Sequence, residues 1–219
     1  MPDDPETSPR STAAVSQAIL SAGCLGVDPA KPVTFASGLR SPVYVDGRRL
    51  LSRPDAWRTV IEACAARIGE RGIDAAVIAG VETAGIPHSS ALAFHAQLPS
   101  VFVRKSPKGH GLGRRVEGGD VSGCRVLLVE DMITTGGSSL SAVEALRAEG
   151  AVVTDCLAIV SYGFAEASTR FAQAGVRLHI LAPVADLVEQ AAADGLIDDA
   201  AAATVRAWLA DPHGWVAPA

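Results

Sequence analysis

The chain of 219 residues is 48% apolar, 20% charged and 5% aromatic, and carries a net charge of −5. These proportions exclude a disordered or collagen-like chain, and the length suits one domain, or a domain with a small appendage, around a continuous core. The acidic balance argues against an electrostatic nucleic-acid binder, so any anion must be held by local chemistry.

Cys24, Cys64, Cys124 and Cys156 are far apart, without the paired spacing of a zinc site, and read as reduced core thiols. Residues 1–12 are acidic and Pro-rich, read as disordered, and have neither the basic start nor the apolar run of a signal peptide. No apolar run approaches a membrane span, which makes the cytoplasm the expected compartment.

Apolar spacing over residues 13–27 predicts an N-terminal helix ended by Gly26. Residues 33–51 alternate short β-prone pieces with Ser-Gly and Ser-Pro, and Arg40, Arg48, Arg49 and Arg53 cluster there, which predicts a hairpin-like insert. An amphipathic helix follows over 56–71. Short apolar strands are then expected at 75–79, 100–104, 125–129, 152–160 and 177–181, with helices at 87–96, 139–149 and 166–174 between them. Gly150 and Gly175 stand where C-terminal caps belong, and two more helices, 184–194 and 198–210, finish the chain. The alternation implies an α/β fold with a central, mostly parallel sheet. The expected layout is a small hood over about 13–53, a core over 56–182 and C-terminal helices over 184–219.

The chemistry concentrates in RVLLVEDMITTGGSS, residues 125–139. An apolar strand runs into Glu130 and Asp131, and Thr134, Thr135, Gly136, Gly137 and Ser138 lead into a helix. The carboxyl ends of parallel strands open onto the ligand crevice, where glycines, hydroxyls and helix-start N–H groups form an anion cradle. Two carboxylates beside such a cradle suit sugar hydroxyls, a divalent metal or a cationic transition state, and a sugar phosphate fits all three.

GVETAGIP, residues 80–87, has two glycines at Walker A spacing, but Ile86 and Pro87 replace the Lys and Ser/Thr that such a loop needs. Its backbone N–H groups still suit a second anion such as pyrophosphate. GHGLGRR, residues 109–115, lacks the last glycine of a dinucleotide fingerprint. Two of the chain's three lysines, Lys105 and Lys108, fall in the surrounding RKSPKGHGLGRRVEGG with Arg104, His110, Arg114 and Arg115. A cationic glycine-rich loop can close over a polyphosphate and neutralise a leaving group. His88 and His95 lie on a predicted sheet-packed helix and read as structural, and Trp208 and Trp215 as residues that dock the C-terminal tail or a subunit interface.

These segments resemble the type I phosphoribosyltransferases, and within them the orotate branch. VEDMITTGGSS is similar to the family's ribose-phosphate signature, GVETAG to its pyrophosphate loop and RKSPKGHG to its catalytic loop, which the family contributes to the neighbouring subunit. FASGLRSPVYVDGR, residues 35–48, resembles the N-terminal segment of the orotate branch.

The resemblance implies transfer of a phosphoribosyl group from phosphoribosyl pyrophosphate (PRPP) to orotate, with Mg2+ held mainly through substrate and two copies sharing their active sites. It assigns catalysis to Lys108, His110, Glu130 and Asp131. PRPP would be bound by these with Arg104, Lys105, Met132, Ile133, Thr134, Thr135, Gly136, Gly137 and Ser138, and orotate by Thr134, Ser37, Gly38 and Tyr44. Nucleic-acid and membrane partners are not expected. Two cations common in the branch are replaced, by Ala36 and by the Ser161-Tyr162-Gly163 segment. A different nucleobase, or a non-catalytic sensor of PRPP, is the alternative.

Overall fold

The computed structural model describes residues 9–35, 38–106 and 114–217, with side chains from residue 12 onward. Two compact units emerge: Val60–Leu181, and the two chain ends, Met1–Thr59 with Ala182–Ala219.

In the unit of the chain ends, helix α1 (Pro9–Ser21) starts inside the stretch expected to be disordered. It also stops earlier than its apolar spacing predicts. Leu25 and Val27 continue that spacing, but they belong to strand β1 (Leu25–Val27), entered through Gly23 at φ +68°. Strands β2 (Val33–Thr34) and β3 (Arg40–Ser41) form one antiparallel ladder, and β4 (Val43–Val45) pairs antiparallel with β1. The expected insert is therefore two small ladders. A 3-10 turn (Gly47–Ser52) follows, capped by the Asp46 carboxylate, and leads into α2 (Pro54–Glu70).

The Val60–Leu181 unit alternates strand and helix: β5 (Val77–Val81), α3 (Gly85–Ala96), β6 (Ser100–Val103), β7 (Val116–Glu117), β8 (Arg125–Ile133), α4 (Gly137–Ala148), β9 (Val152–Ser161), α5 (Ala165–Gln173) and β10 (Arg177–Pro183), the last running two residues past it. The sheet order is β10-β9-β8-β5-β6-β7. Neighbours β9, β8, β5 and β6 run parallel, and β7, unforeseen in the sequence, adds an antiparallel edge of two residues.

Every residue of β5 is buried, as a parallel strand covered on both faces requires. Val77, Ala79, Val126 and Leu128 join the core with Val143 and Leu146 of α4 and Phe171 of α5. Ile78 and Leu127, also fully buried, alternate to the other face, and α3 packs against β5 and β8.

Helices α6 (Val184–Ala193) and α7 (Asp199–Ala210) return to the unit of the chain ends, where α6 packs on α1 and α7. Trp208 is fully buried; its Nε1 donates to the Arg40 carbonyl at 2.8 Å, and its ring meets Phe35 edge-on with centroids 6.3 Å apart. It docks the tail, as its place in the sequence suggests. All four cysteines are free thiols, three of them buried. Among the described residues no helix is long and apolar enough to cross a membrane.

Candidate active site

Strand β8 runs four residues further than its apolar run predicts. Glu130, Met132 and Ile133 stay in register with Ala158, Val160 and Ser161 of β9, so the carboxylates lie within the ladder and not after it. Alternation along the strand then separates them. Asp131 is half-buried. Glu130 is 5% exposed and turned inward, where its Oε2 accepts the Ser139 hydroxyl at 3.0 Å and its Oε1 accepts the Asp131 N–H at 3.3 Å. Burial first, and then the Asp131 charge, push its pKa well above the ordinary carboxylic range.

The resemblance placed both carboxylates equally on a ribose; their exposures differ, and Asp131 is the accessible one. Ile133, expected in the cradle, is a core residue with 1% exposure, and its carbonyl accepts the Tyr162 N–H at 3.0 Å. Met132 remains half-buried.

Thr134 and Thr135 are half-buried and Ser138 exposed, so these hydroxyls are within reach of a ligand. Gly136, the N-cap of α4, sits at φ +77° and contributes no side-chain cap. The first N–H groups of α4 therefore keep the unmet donors that favour a phosphate. A Cβ on Gly136 would stand 2.7 Å from Cε2 of Phe171, so both the turn and the close packing demand glycine. Beside Phe171, the Arg170 Nη1 donates to the Thr135 carbonyl at 3.1 Å.

The 80–85 segment lies at the end of β5, next to β8. A Cβ on Gly80 would collide with the Ser89 hydroxyl and come within 2.9 Å of the Ile86 Cα; one on Gly85 would come within 2.9 Å of the Val129 carbonyl and 3.3 Å of Glu130 Oε1. These glycines let α3 start directly against the carboxylate strand. Its N-cap, Ala84, likewise gives no side-chain cap. The Glu82–Thr83 peptide is cis, and Glu82 Oε2 accepts the Lys105 N–H at 2.7 Å, which ties this loop to the end of β6. His88 on α3 is fully buried, and burial lowers its pKa to about 4, in keeping with a structural, neutral imidazole.

Of the cations of the 104–119 segment, Arg104, Lys105, Arg114 and Arg115 are described. Arg104 is half-buried, with Nη1 3.8 Å from Glu117. Arg115 anchors the segment: its Nε donates to the Arg104 carbonyl at 2.7 Å and its Nη1 to the Ser141 hydroxyl at 3.0 Å. Lys108 and His110 lie outside the described residues, as does Ser37.

Gly38 and Tyr44 belong to the other unit. Gly38 has φ +86°, and the Tyr44 hydroxyl accepts Arg48 Nη2 at 3.3 Å. Asp46 accepts Arg48 Nε at 2.6 Å, and that bond holds its carboxyl below its ordinary range. In the variant segment Tyr162 is buried and stacks on Phe164, with centroids 5.9 Å apart.

Sequence reasoning passed over Ser139, Arg170 and Phe171. Ser139 stood in the motif as one more serine, and the other two act on partners 35 residues away.

The phosphoribosyl transferase domain model matches residues 48–171. The orotate phosphoribosyltransferase of Coxiella burnetii is 39% identical over 84% of this chain and 88% of its own. The crystal structure of orotate phosphoribosyltransferase from Aeropyrum pernix superposes with a TM-score of 0.73 at 30% identity, covering 84% of this chain and 99% of that one. UMP synthase of Leishmania donovani gives a TM-score of 0.78 at 25% identity over 91% of this chain, which spans 42% of that longer protein. By the family model and by these relatives, the chain belongs to the phosphoribosyltransferase family and, within it, to the orotate phosphoribosyltransferases.

Proposed function

We propose that the protein transfers the 5-phosphoribosyl group of PRPP to orotate, giving orotidine 5′-monophosphate and pyrophosphate, a step of pyrimidine biosynthesis. The observation that carries this reading is the half-buried Asp131 near the carboxyl end of a central parallel strand, one short turn before an uncapped helix start. The open N–H groups of α4, with Thr134, Thr135 and Ser138, take the 5-phosphate. Asp131 takes a ribose hydroxyl and faces the positive charge that grows on the ribose as its bond to pyrophosphate breaks, and Glu130 holds it from behind.

The second uncapped helix start, at Ala84–Gly85, receives the departing pyrophosphate with Arg104, Lys105, Lys108 and His110. Ser37, Gly38 and Tyr44 take the base. The donor chemistry fits a divalent cation held through substrate, because the half-buried Asp131 carboxylate offers an oxygen ligand beside the phosphate cradle. Asp131 with substrate oxygens would hold Mg2+, which when bound neutralises pyrophosphate charge. A homodimer that shares its active sites through the 104–119 segment, in the cytoplasm and without nucleic-acid or membrane partners, completes the reading.

The test is pyrophosphate release from PRPP with Mg2+ across a panel of nucleobases. Orotate is expected to support turnover and adenine, hypoxanthine and uracil not to; turnover with another base alone would move the substrate assignment, and none at all would leave a PRPP sensor.

A further inference from the structure

We infer that Arg170 supplies the cation of the 5-phosphate subsite and braces the loop that forms it, an inference that rests on reading 134–138 as that subsite. Residues 134–139 offer hydroxyls and N–H groups but no cationic side chain. A phosphate monoester at neutral pH carries close to two charges, more than a helix start balances by itself.

Arg170 comes from α5, the helix that follows the neighbouring strand β9. Its Nη1 donates to the Thr135 carbonyl at 3.1 Å, and Nη1 and Nη2 lie 3.8 and 3.9 Å from the point where a Cβ on Gly137 would stand. The guanidinium thus lies along the first residue of α4, where the uncapped N–H groups are, and glycine at 137 leaves the space between them open. Phe171, buried against Gly136, fixes α5 on the same loop, so two successive residues of one helix grip two successive residues of the cradle.

Arg170 also meets Glu166 at 3.5 Å, one turn back on α5. Both side chains are more than two-fifths exposed, so that pairing leaves the guanidinium available to an anion. A planar fork can hold a carbonyl and a phosphate oxygen together; an ammonium cannot do so in the same geometry.

The experiment compares wild type with Arg170→Ala, Arg170→Lys and Glu166→Gln by steady-state kinetics, by inhibition with ribose 5-phosphate and with pyrophosphate, and by melting temperature. Arg170→Ala is expected to raise KM for PRPP and Ki for ribose 5-phosphate about tenfold, the worth of one charge-assisted hydrogen bond, with Ki for pyrophosphate within about twofold. Arg170→Lys should fall between the two, and Glu166→Gln, which removes the competing carboxylate, should tighten ribose 5-phosphate.

Unchanged ribose 5-phosphate inhibition in folded Arg170→Ala, or equal weakening of both inhibitors, overturns the inference while the functional reading stands. If Arg170→Ala fails to fold, the exposed Glu166→Gln variant decides, and no gain in ribose 5-phosphate affinity there is equally fatal. A wild type that uses PRPP with no nucleobase and does not bind ribose 5-phosphate overturns the functional reading and the inference together.

Discussion

Glu130 holds its carboxyl inside the protein at a cost that depends on pH. Burial and the neighbouring Asp131 raise its pKa in the folded state, so the folded chain keeps this proton to higher pH than the unfolded chain does. The unfolded state then binds fewer protons over the window above the ordinary carboxylic range, and stability falls as pH rises through it. Glu130→Gln keeps an acceptor for the Ser139 hydroxyl and removes the charge. We expect it to melt higher than wild type at pH 8 and the gap to close towards pH 5, read by calorimetry at both; a gain of about 1 kcal/mol would appear as about 2–4 °C. Asp131→Asn is expected to leave melting nearly unchanged and to lower kcat by about 10² to 10³, the usual loss when a transition-state stabiliser is removed. Wild-type turnover in Asp131→Asn would end the ribose assignment.

At the scale of elements, what the sequence made legible follows from where the cause of each structure lies. Strand β5 and the central stretches of β8 and β9 are buried on both faces and read as apolar runs. Their ends were harder to see, because a polar pair inside a parallel strand looks like a strand that has finished; only the ladder with β9 shows Glu130 and Asp131 to be inside it. The boundary between α1 and β1 was hidden for the opposite reason: Leu25 and Val27 fit helical spacing, but they pair with Val45 and Val43 some twenty residues on. The 33–41 hairpin depends still more on distant chain, since its Arg40 carbonyl is held by Trp208 of α7. Trp208→Phe keeps an aromatic ring against Phe35 but loses that donor and some volume. It should destabilise the protein by about 1–2 kcal/mol in denaturant unfolding. An unchanged midpoint would mean that α7 is not fastened to the hairpin through the indole N–H.

Over the whole molecule, the candidate site divides in the same way. Its local part, Asp131 with the glycines and hydroxyls up to Ser138, was legible because strand, turn and helix start are contiguous; Arg170 was not, because it reaches the site from another element. The proposed dimer extends this dependence to a second chain. If the 104–119 segment of one subunit serves the site of its neighbour, Lys108→Ala and Asp131→Asn damage different halves of a shared site. A mixed dimer then has one site with both lesions and one with neither. Random pairing makes mixed dimers about half of the population by 1:2:1 statistics, so two nearly inactive parents, refolded together, should recover about a quarter of wild-type activity under two-fold symmetry. Orotate consumption measures the recovery, once each parent is shown by light scattering to dimerise. Sites complete within one subunit would give none, because every Lys108→Ala chain would carry its own lesion into its own site, and the shared-site reading would then be withdrawn.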